Sequence, residues 1–242
     1  MSKKNLLSVS FLLVCFYCTC NKSDAQVYKK NKYNLEIIDN IPAYKAFISK
    51  KADAKLVLLT NFVPDLKTDF VYATPDNFTH TVLYQHPKPY ALLPVAEALA
   101  KVSEDLKKNG LAIMLFDAYR PYSVTEKMWQ AVPDARYAAD PKFGSGHNRG
   151  ISVDITLYNL SDAKPLQMPT AFDNFTDTAH SGFEHLPQSI LANRKLLRDV
   201  MAKYGFVQLP TEWWHFSIAN PKAVYKIIDL SFDELNNFVK AN

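Results

Sequence analysis

The stretch Gly144-Ser145-Gly146-His147-Asn148-Arg149-Gly150-Ile151-Ser152-Val153-Asp154-Ile155-Thr156-Leu157-Tyr158 organises the reading of the whole chain. From Ile151 onward the side chains alternate, with Ile151, Val153, Ile155 and Leu157 on one face of an extended segment and Ser152, Asp154 and Thr156 on the other. This predicts a strand over 151–158, with Asp154 projecting away from its apolar face. Glycines at 144, 146 and 150 let the preceding loop bend back, so that the His147 imidazole and the Asp154 carboxylate can converge. A strand Asp that merely pairs with Arg149 fits the same residues.

Working outward, helices and strands mix without regular strand–helix–strand alternation. Apolar residues at Val95, Leu99, Val102 and Leu106 predict a helix over 91–108, ended by Gly110. Leu111–Phe116 reads as a strand, and Asp117–Pro121 as the turn after it. Ser123 and Glu126 have capping-box spacing, which predicts a helix over 124–131. Strand-like runs occur at 35–38 and 55–60, and residues 159–185 read as a long loop. Gln188–Tyr204 reads as a helix stopped by Gly205, with 206–209 and 213–217 as paired strands. Two helices are expected over 221–230 and 232–240, the second with a Ser231/Glu234 capping box. The expected fold class is α+β: a single domain with a small antiparallel or mixed sheet, helices packed around it, and a metal site in a cleft at the sheet.

The chain has 242 residues, 48% hydrophobic and 21% charged, with a net charge of +4. That is ordinary for a globular domain able to bury a core without disulfides. Lys3 and Lys4 followed by the apolar run Leu6–Cys18 read as a secretory signal, and Ser23-Asp24-Ala25 offers a cleavage site. The expected division is a signal peptide over 1–25 and a catalytic domain over 26–242, exported to the periplasm. Lipidation at Cys20, giving a membrane-anchored lipoprotein, is the alternative processing. Removing 1–25 deletes Lys3, Lys4, Lys22 and Asp24, which leaves 25 basic against 23 acidic side chains, or +2. Such a balance gives no reason to expect nucleic acid or an acidic membrane as a partner. Cys15, Cys18 and Cys20 all lie in the leader, so any metal in the domain must be held by His, Asp or Glu.

Two further stretches carry candidate chemistry. Glu212-Trp213-Trp214-His215-Phe216 joins two tryptophans, which can form apolar walls, to an acid and an imidazole. With His147 and Asp154, His215 completes a His/His/Asp set. Three protein ligands and an open fourth position are the pattern of a catalytic zinc site. Glu212 is the natural general base for a zinc-bound water. In a regular strand Glu212 and His215 would point to opposite faces, so Glu212 is expected in a turn or bulge after Pro210. A buried aromatic strand with a satisfied core His also fits. Asp117-Ala118-Tyr119-Arg120-Pro121 ends a buried strand, where Arg120 can either stabilise an oxyanion or form a local pair with Asp117. His80, His86, His180 and His185 read as loop residues.

Taken together, these stretches resemble the D-alanyl-D-alanine dipeptidase family of vancomycin-resistance-type zinc peptidases, within a wider clan of zinc D,D-peptidases. The clan pattern Ser-x-His-x6-Asp, then Glu-x-x-His, reads here as Ser145-Gly146-His147 through Asp154, then Glu212 to His215. The doubled Trp resembles the dipeptidase branch. The likeness runs from about Lys55 to Ser217 and includes Tyr72-Ala73-Thr74, Asn77-Phe78-Thr79 and Phe172-Asp173-Asn174-Phe175. It implies one zinc on His147, Asp154 and His215, Glu212 as base, Arg120 as transition-state stabiliser, Asp173 on the substrate ammonium and Ser145 as a substrate contact. The implied substrate is the small dipeptide D-Ala-D-Ala. Ser152 departs from the family pattern, which usually has Ala there, and the leader departs from its usual cytoplasmic address. Two other functions fit the same residues: a zinc D,D- or L,D-carboxypeptidase acting on peptidoglycan stem peptides, and a zinc-dependent module that binds peptide or cell wall without catalysis.

Overall fold

The alternating run forms the strand Ser152–Asn159 of a computed structural model that describes residues 28–220 and 223–241. The expected signal peptide over 1–25 lies outside the described residues. In chain order the strands are β1 (Lys29–Lys30), β2 (Glu36–Ile38), β3 (Leu56–Leu58), β4 (Lys67–Thr68), β5 (Tyr90–Leu92), β6 (Leu111–Asp117), β7 (Ser152–Asn159), β8 (Val207–Gln208), β9 (His215–Ser217) and β10 (Ile227–Ile228). The helices are α1 (Ile41–Lys50), α2 (Leu93–Lys107), α3 (Tyr122–Ala131), α4 (Gln188–Lys203) and α5 (Phe232–Lys240).

The central sheet has the order β4-β6-β7-β9-β8. It is mixed: β4 runs parallel to β6, and the other neighbours are antiparallel. Two smaller sheets, β1-β2-β10 and β3-β5, flank it. This is the α+β architecture that the irregular order of elements predicts. Leu111, Ile113 and Leu115 of β6 and Val153, Ile155 and Leu157 of β7 share one core with Val95, Leu99, Val102 and Leu106 of α2. The 3.6-residue stripe of the helix and the two-residue alternation of the strands thus bury against each other.

A bulge in the β6–β7 ladder positions the site. Leu115 pairs with Ile155, but the next register partner of Asp154 is Asp117. The extra residue, Phe116, shifts Asp117 by one place and sets it abreast of Asp154, as bulges beside active sites commonly re-aim a side chain. On the other edge of β7, Asp154 pairs with His215 and Ser152 with Ser217.

Two expectations are corrected. The segment expected as a helix over 221–230 contains β10, which adds in parallel to β2 through Ile227↔Ile37 and Ile228↔Ile38. Tyr225 bonds both ways with the Asn220 side chain, which closes a turn where a helix would need the main chain for its own ladder. The Ser123/Glu126 capping box does not form. Helix α3 begins at Tyr122 after Pro121, and the Ser123 N–H donates to Asp229 Oδ1 at 2.8 Å. The Ser231/Glu234 box does form at the start of α5.

Gly150 closes the turn that feeds β7, with φ +67°. A Cβ there would meet Leu56 Cδ2 at 2.7 Å. Gly150→Ala is therefore expected to cost about 2 kcal/mol of stability, mainly from the left-handed backbone. Equilibrium denaturation should show a lower midpoint at an unchanged slope; an unchanged midpoint would mean that the turn accepts a side chain.

Candidate metal centre

His147 reaches the sheet from a single 3-10 turn, His147–Arg149, that the Gly150 backbone ends. Its Nδ1 lies 2.8 Å from the Ala118 carbonyl oxygen. A carbonyl only accepts, so Nδ1 carries a proton and Nε2 is the nitrogen left to face the triad. That Nε2 is 3.2 Å from Asp154 Oδ2 and 3.2 Å from His215 Nδ1. His215 Nδ1 is in turn 2.9 Å from Asp154 Oδ1. The donor atoms of His147, Asp154 and His215 all lie within 4.8 Å of one another.

An imidazole nitrogen aimed at a carboxylate needs a proton or a metal ion between them, and two imidazoles with one carboxylate form a donor set that fits a metal ion. Electrostatics agree. Burial lowers the His147 imidazole, but the Asp154 and Asp117 carboxylates together outweigh that and leave it above its ordinary value. Burial raises Asp154, and His147 and His215 more than offset it, holding the carboxyl well below the usual range. The pocket draws positive charge. Arg149 does not pair with Asp154; it donates to the Tyr225 and Phe143 carbonyls instead.

Arg120 is buried, and its Nε and Nη2 both donate to Asp117 Oδ2, at 2.9 and 2.6 Å. The other Asp117 oxygen accepts from Tyr84 Oη and the Ala118 N–H. The guanidinium also lies 5.3 Å above the Tyr72 ring. The local Asp117 pair and a role in the cleft are therefore compatible, because the pair aims the guanidinium.

The cleft over the triad encloses about 280 Å³, and Tyr72, Arg120, Ser145, Asp173, Glu212 and Trp214 contribute to its walls. Glu212 lies in the turn between Pro210 and β9, which brings its Oε2 to 3.8 Å from His215 Nδ1 despite the strand parity. Burial, reinforced by Asp154 and Asp173, pushes Glu212 up to about 7, against the pull of His215. Asp173 has φ +56° and accepts from Tyr72 Oη at 2.8 Å. Burial likewise pushes it up to about 7, with the Asp154 charge adding to the shift. Ser145 Oγ accepts from the His147 N–H at 3.1 Å, so it braces the metal turn as well as lining the cleft.

Only one of the paired tryptophans walls the cleft. Trp214 packs edge-on against Phe172 and Phe175. Trp213 is buried beside it and donates its indole N–H to Thr170 Oγ1 at 2.9 Å. Sequence reasoning gave no role to Tyr72, which touches both Arg120 and Asp173, or to Ser217 behind His215. Two-residue alternation from His215 was the available signal for Ser217.

Residues 52–233 match the Peptidase_M15 family model, described as D-ala-D-ala dipeptidase. A D-alanyl-D-alanine dipeptidase of Escherichia coli (strain K12) is 35% identical over 164 residues, covering 68% of this chain and 84% of the relative. One from Streptomyces coelicolor is 31% identical over 176 residues, covering 64% and 87%. One from Enterococcus faecium is 28% identical over 178 residues, covering 65% and 88%.

The purified chain is expected to carry one divalent ion, measured by elemental analysis after gel filtration. Asp154→Ala or His147→Ala should abolish it, because two remaining ligands cannot hold the ion. Chelation should lower the melting midpoint of the native chain and leave that of the variants unmoved. Stoichiometric metal in the Asp154 variant would place the ion elsewhere.

Proposed function

The chain belongs to the D-Ala-D-Ala dipeptidase family of M15 metallopeptidases, and from that premise we propose that it hydrolyses the free dipeptide D-Ala-D-Ala to two molecules of D-alanine with zinc as its metal. The carrying observation is the His147/Asp154/His215 triad at the floor of a cleft rimmed by one buried guanidinium and two half-buried carboxyls.

A zinc ion held by His147, Asp154 and His215 would supply Lewis acidity, polarising the scissile carbonyl and making a water molecule acidic enough to attack at neutral pH. Glu212 accepts a proton from the attacking water as the oxygen–carbon bond forms, and returns it to the departing amine as the carbon–nitrogen bond breaks. A carboxyl pushed up to about 7 suits both transfers, since a base works best with a pKa near the working pH. Arg120, held rigidly by Asp117, faces the oxygen on which negative charge develops. Because the guanidinium is already oriented, little reorganisation accompanies the reaction.

Asp173 is the carboxylate that meets the substrate ammonium. Its burial makes the bare charge unfavourable, and an ammonium beside it restores the ionised form. A blocked or extended N-terminus would leave Asp173 without that partner, so the pocket selects a free dipeptide over a stem peptide. Ser145 is placed to contact the same substrate from the metal turn. The leader residues support export: Lys3, Lys4 and the apolar run to Cys18 favour a periplasmic address for the domain 26–242, with cleavage after Ala25 or lipidation at Cys20. No helix among the described residues is long and apolar enough to cross a membrane.

The test is D-alanine release from free D-Ala-D-Ala and from a D-Ala-D-Ala-terminated pentapeptide, with and without chelator. Chelator-sensitive cleavage of the dipeptide alone is expected; cleavage of the pentapeptide alone would make the protein a carboxypeptidase. Glu212→Gln should lower kcat by ~10²–10⁴-fold while zinc content stays at the native level. Near-native turnover in that variant would remove Glu212 as the base. Asp173→Asn should reduce kcat/KM for the dipeptide by roughly 30-fold or more, the effect of unpairing a buried charge, and an undiminished value would place the ammonium elsewhere.

A further inference from the structure

The two imidazoles of the triad present opposite nitrogens to it. His147 turns Nε2 inward and gives Nδ1 to the Ala118 carbonyl. His215 turns Nδ1 inward, toward Asp154 and His147, which leaves Nε2 on the far side. That Nε2 lies 3.2 Å from Ser217 Oγ, and Ser217 Oγ lies 2.6 Å from Ser152 Oγ. Ser152 and Ser217 are register partners on β7 and β9, two residues along from the partners Asp154 and His215. The hydroxyl pair and the ligand pair therefore stand side by side on one face of the sheet.

The surrounding chain makes room for this pair. Ser152 is completely buried. A Cβ built on Gly146 would fall 1.9 Å from Ser152 Oγ. The residue just before His147 thus lacks a side chain where the Ser152 hydroxyl needs the space.

We propose that Ser217, backed by Ser152, is a positioning residue that fixes the tautomer and ring orientation of His215 for metal binding. The assignment rests on reading the triad as a zinc site. For Nδ1 to offer its lone pair, the imidazole proton must sit on Nε2, and a half-buried N–H needs an acceptor. Ser217 Oγ is the acceptor within reach. A hydroxyl can also donate, so Ser217 alone would not choose between tautomers. Either hydroxyl of the pair can donate to the other; when Ser217 directs its hydrogen to Ser152 Oγ, its remaining lone pairs face the imidazole and only the Nε2–H form is satisfied. Partners of this kind behind a ligating imidazole typically govern metal affinity by 10–100-fold.

The experiment is zinc affinity of the full chain, by competition with a chromophoric chelator and with no substrate present, for the native protein, Ser217→Ala, Ser217→Thr and Ser152→Ala. Ser217→Ala should bind zinc ~10–100-fold more weakly, and Ser152→Ala should lose less. Ser217→Thr, which keeps the hydroxyl on a β-branched residue suited to a strand, should stay within about threefold of native. Metal-free melting midpoints of Ser217→Ala and native protein should coincide, which separates lost ligand control from lost folding. Affinity of Ser217→Ala within roughly twofold of native would overturn the assignment, as would equal losses in the Ala and Thr variants. A native chain that holds no zinc would instead overturn the metal reading itself, and this assignment with it.

Discussion

One rung across three strands governs the molecule: Asp117 on β6, Asp154 on β7 and His215 on β9 are register neighbours in a row. Two carboxylates side by side in a buried sheet repel each other and are poorly solvated, so each must be compensated separately. Asp117 is compensated by Arg120, Tyr84 and the Ala118 N–H. Asp154 is compensated by His147 and His215. The arrangement exists only because the bulge at Phe116 slides Asp117 into the rung. Regular pairing would have turned it to the opposite face.

The same rung decides how charge is distributed over the cleft. Four carboxyl groups, Asp117, Asp154, Asp173 and Glu212, surround a single guanidinium, and Asp117 has taken two of its nitrogens. Asp154, between His147 and His215, is held well below the usual carboxylate range. Asp173 and Glu212, half-buried at the rim, are pushed up to about 7 by desolvation and by their neighbouring carboxylates. The metal-facing carboxylate thus holds its charge, while the rim carboxyls exchange protons more readily.

Much of this was legible in the sequence because it rests on short-range rules. Alternation over 151–158 gave β7 and the face that carries Asp154. The parity conflict between Glu212 and His215 called for a turn after Pro210, and a turn is found there. What escaped the sequence depends on partners distant along the chain. The Ser123/Glu126 spacing resembles a cap, but Asp229, more than a hundred residues away, takes the Ser123 N–H. The segment 221–230 carries apolar residues that also fit a helix, and β2 recruits Ile227 and Ile228 instead. Trp213 and Trp214 look equivalent as neighbours, yet strand and turn geometry sends one to the core and the other to the cleft. The bulge itself has no local signature, since no glycine marks it.

The five residues from Asp117 to Pro121 show why the site and the core cannot be separated. Asp117 aims Arg120. The Ala118 carbonyl sets the proton on His147. Tyr119 sends its ring into the core, where its hydroxyl donates to the Leu230 carbonyl and accepts from the Leu230 N–H. Arg120 returns a main-chain bond to the metal turn, its N–H to the His147 carbonyl at 3.2 Å. Pro121 then starts α3, whose Thr125 holds Asn148 beside His147. A loop histidine would otherwise be the weakest member of the triad, because loops relax more readily than strands. Here its ring, its main chain and its neighbour Asn148 are all held by one segment that is anchored in the core. The triad therefore has strand-like rigidity at all three of its members, including the one that no strand carries.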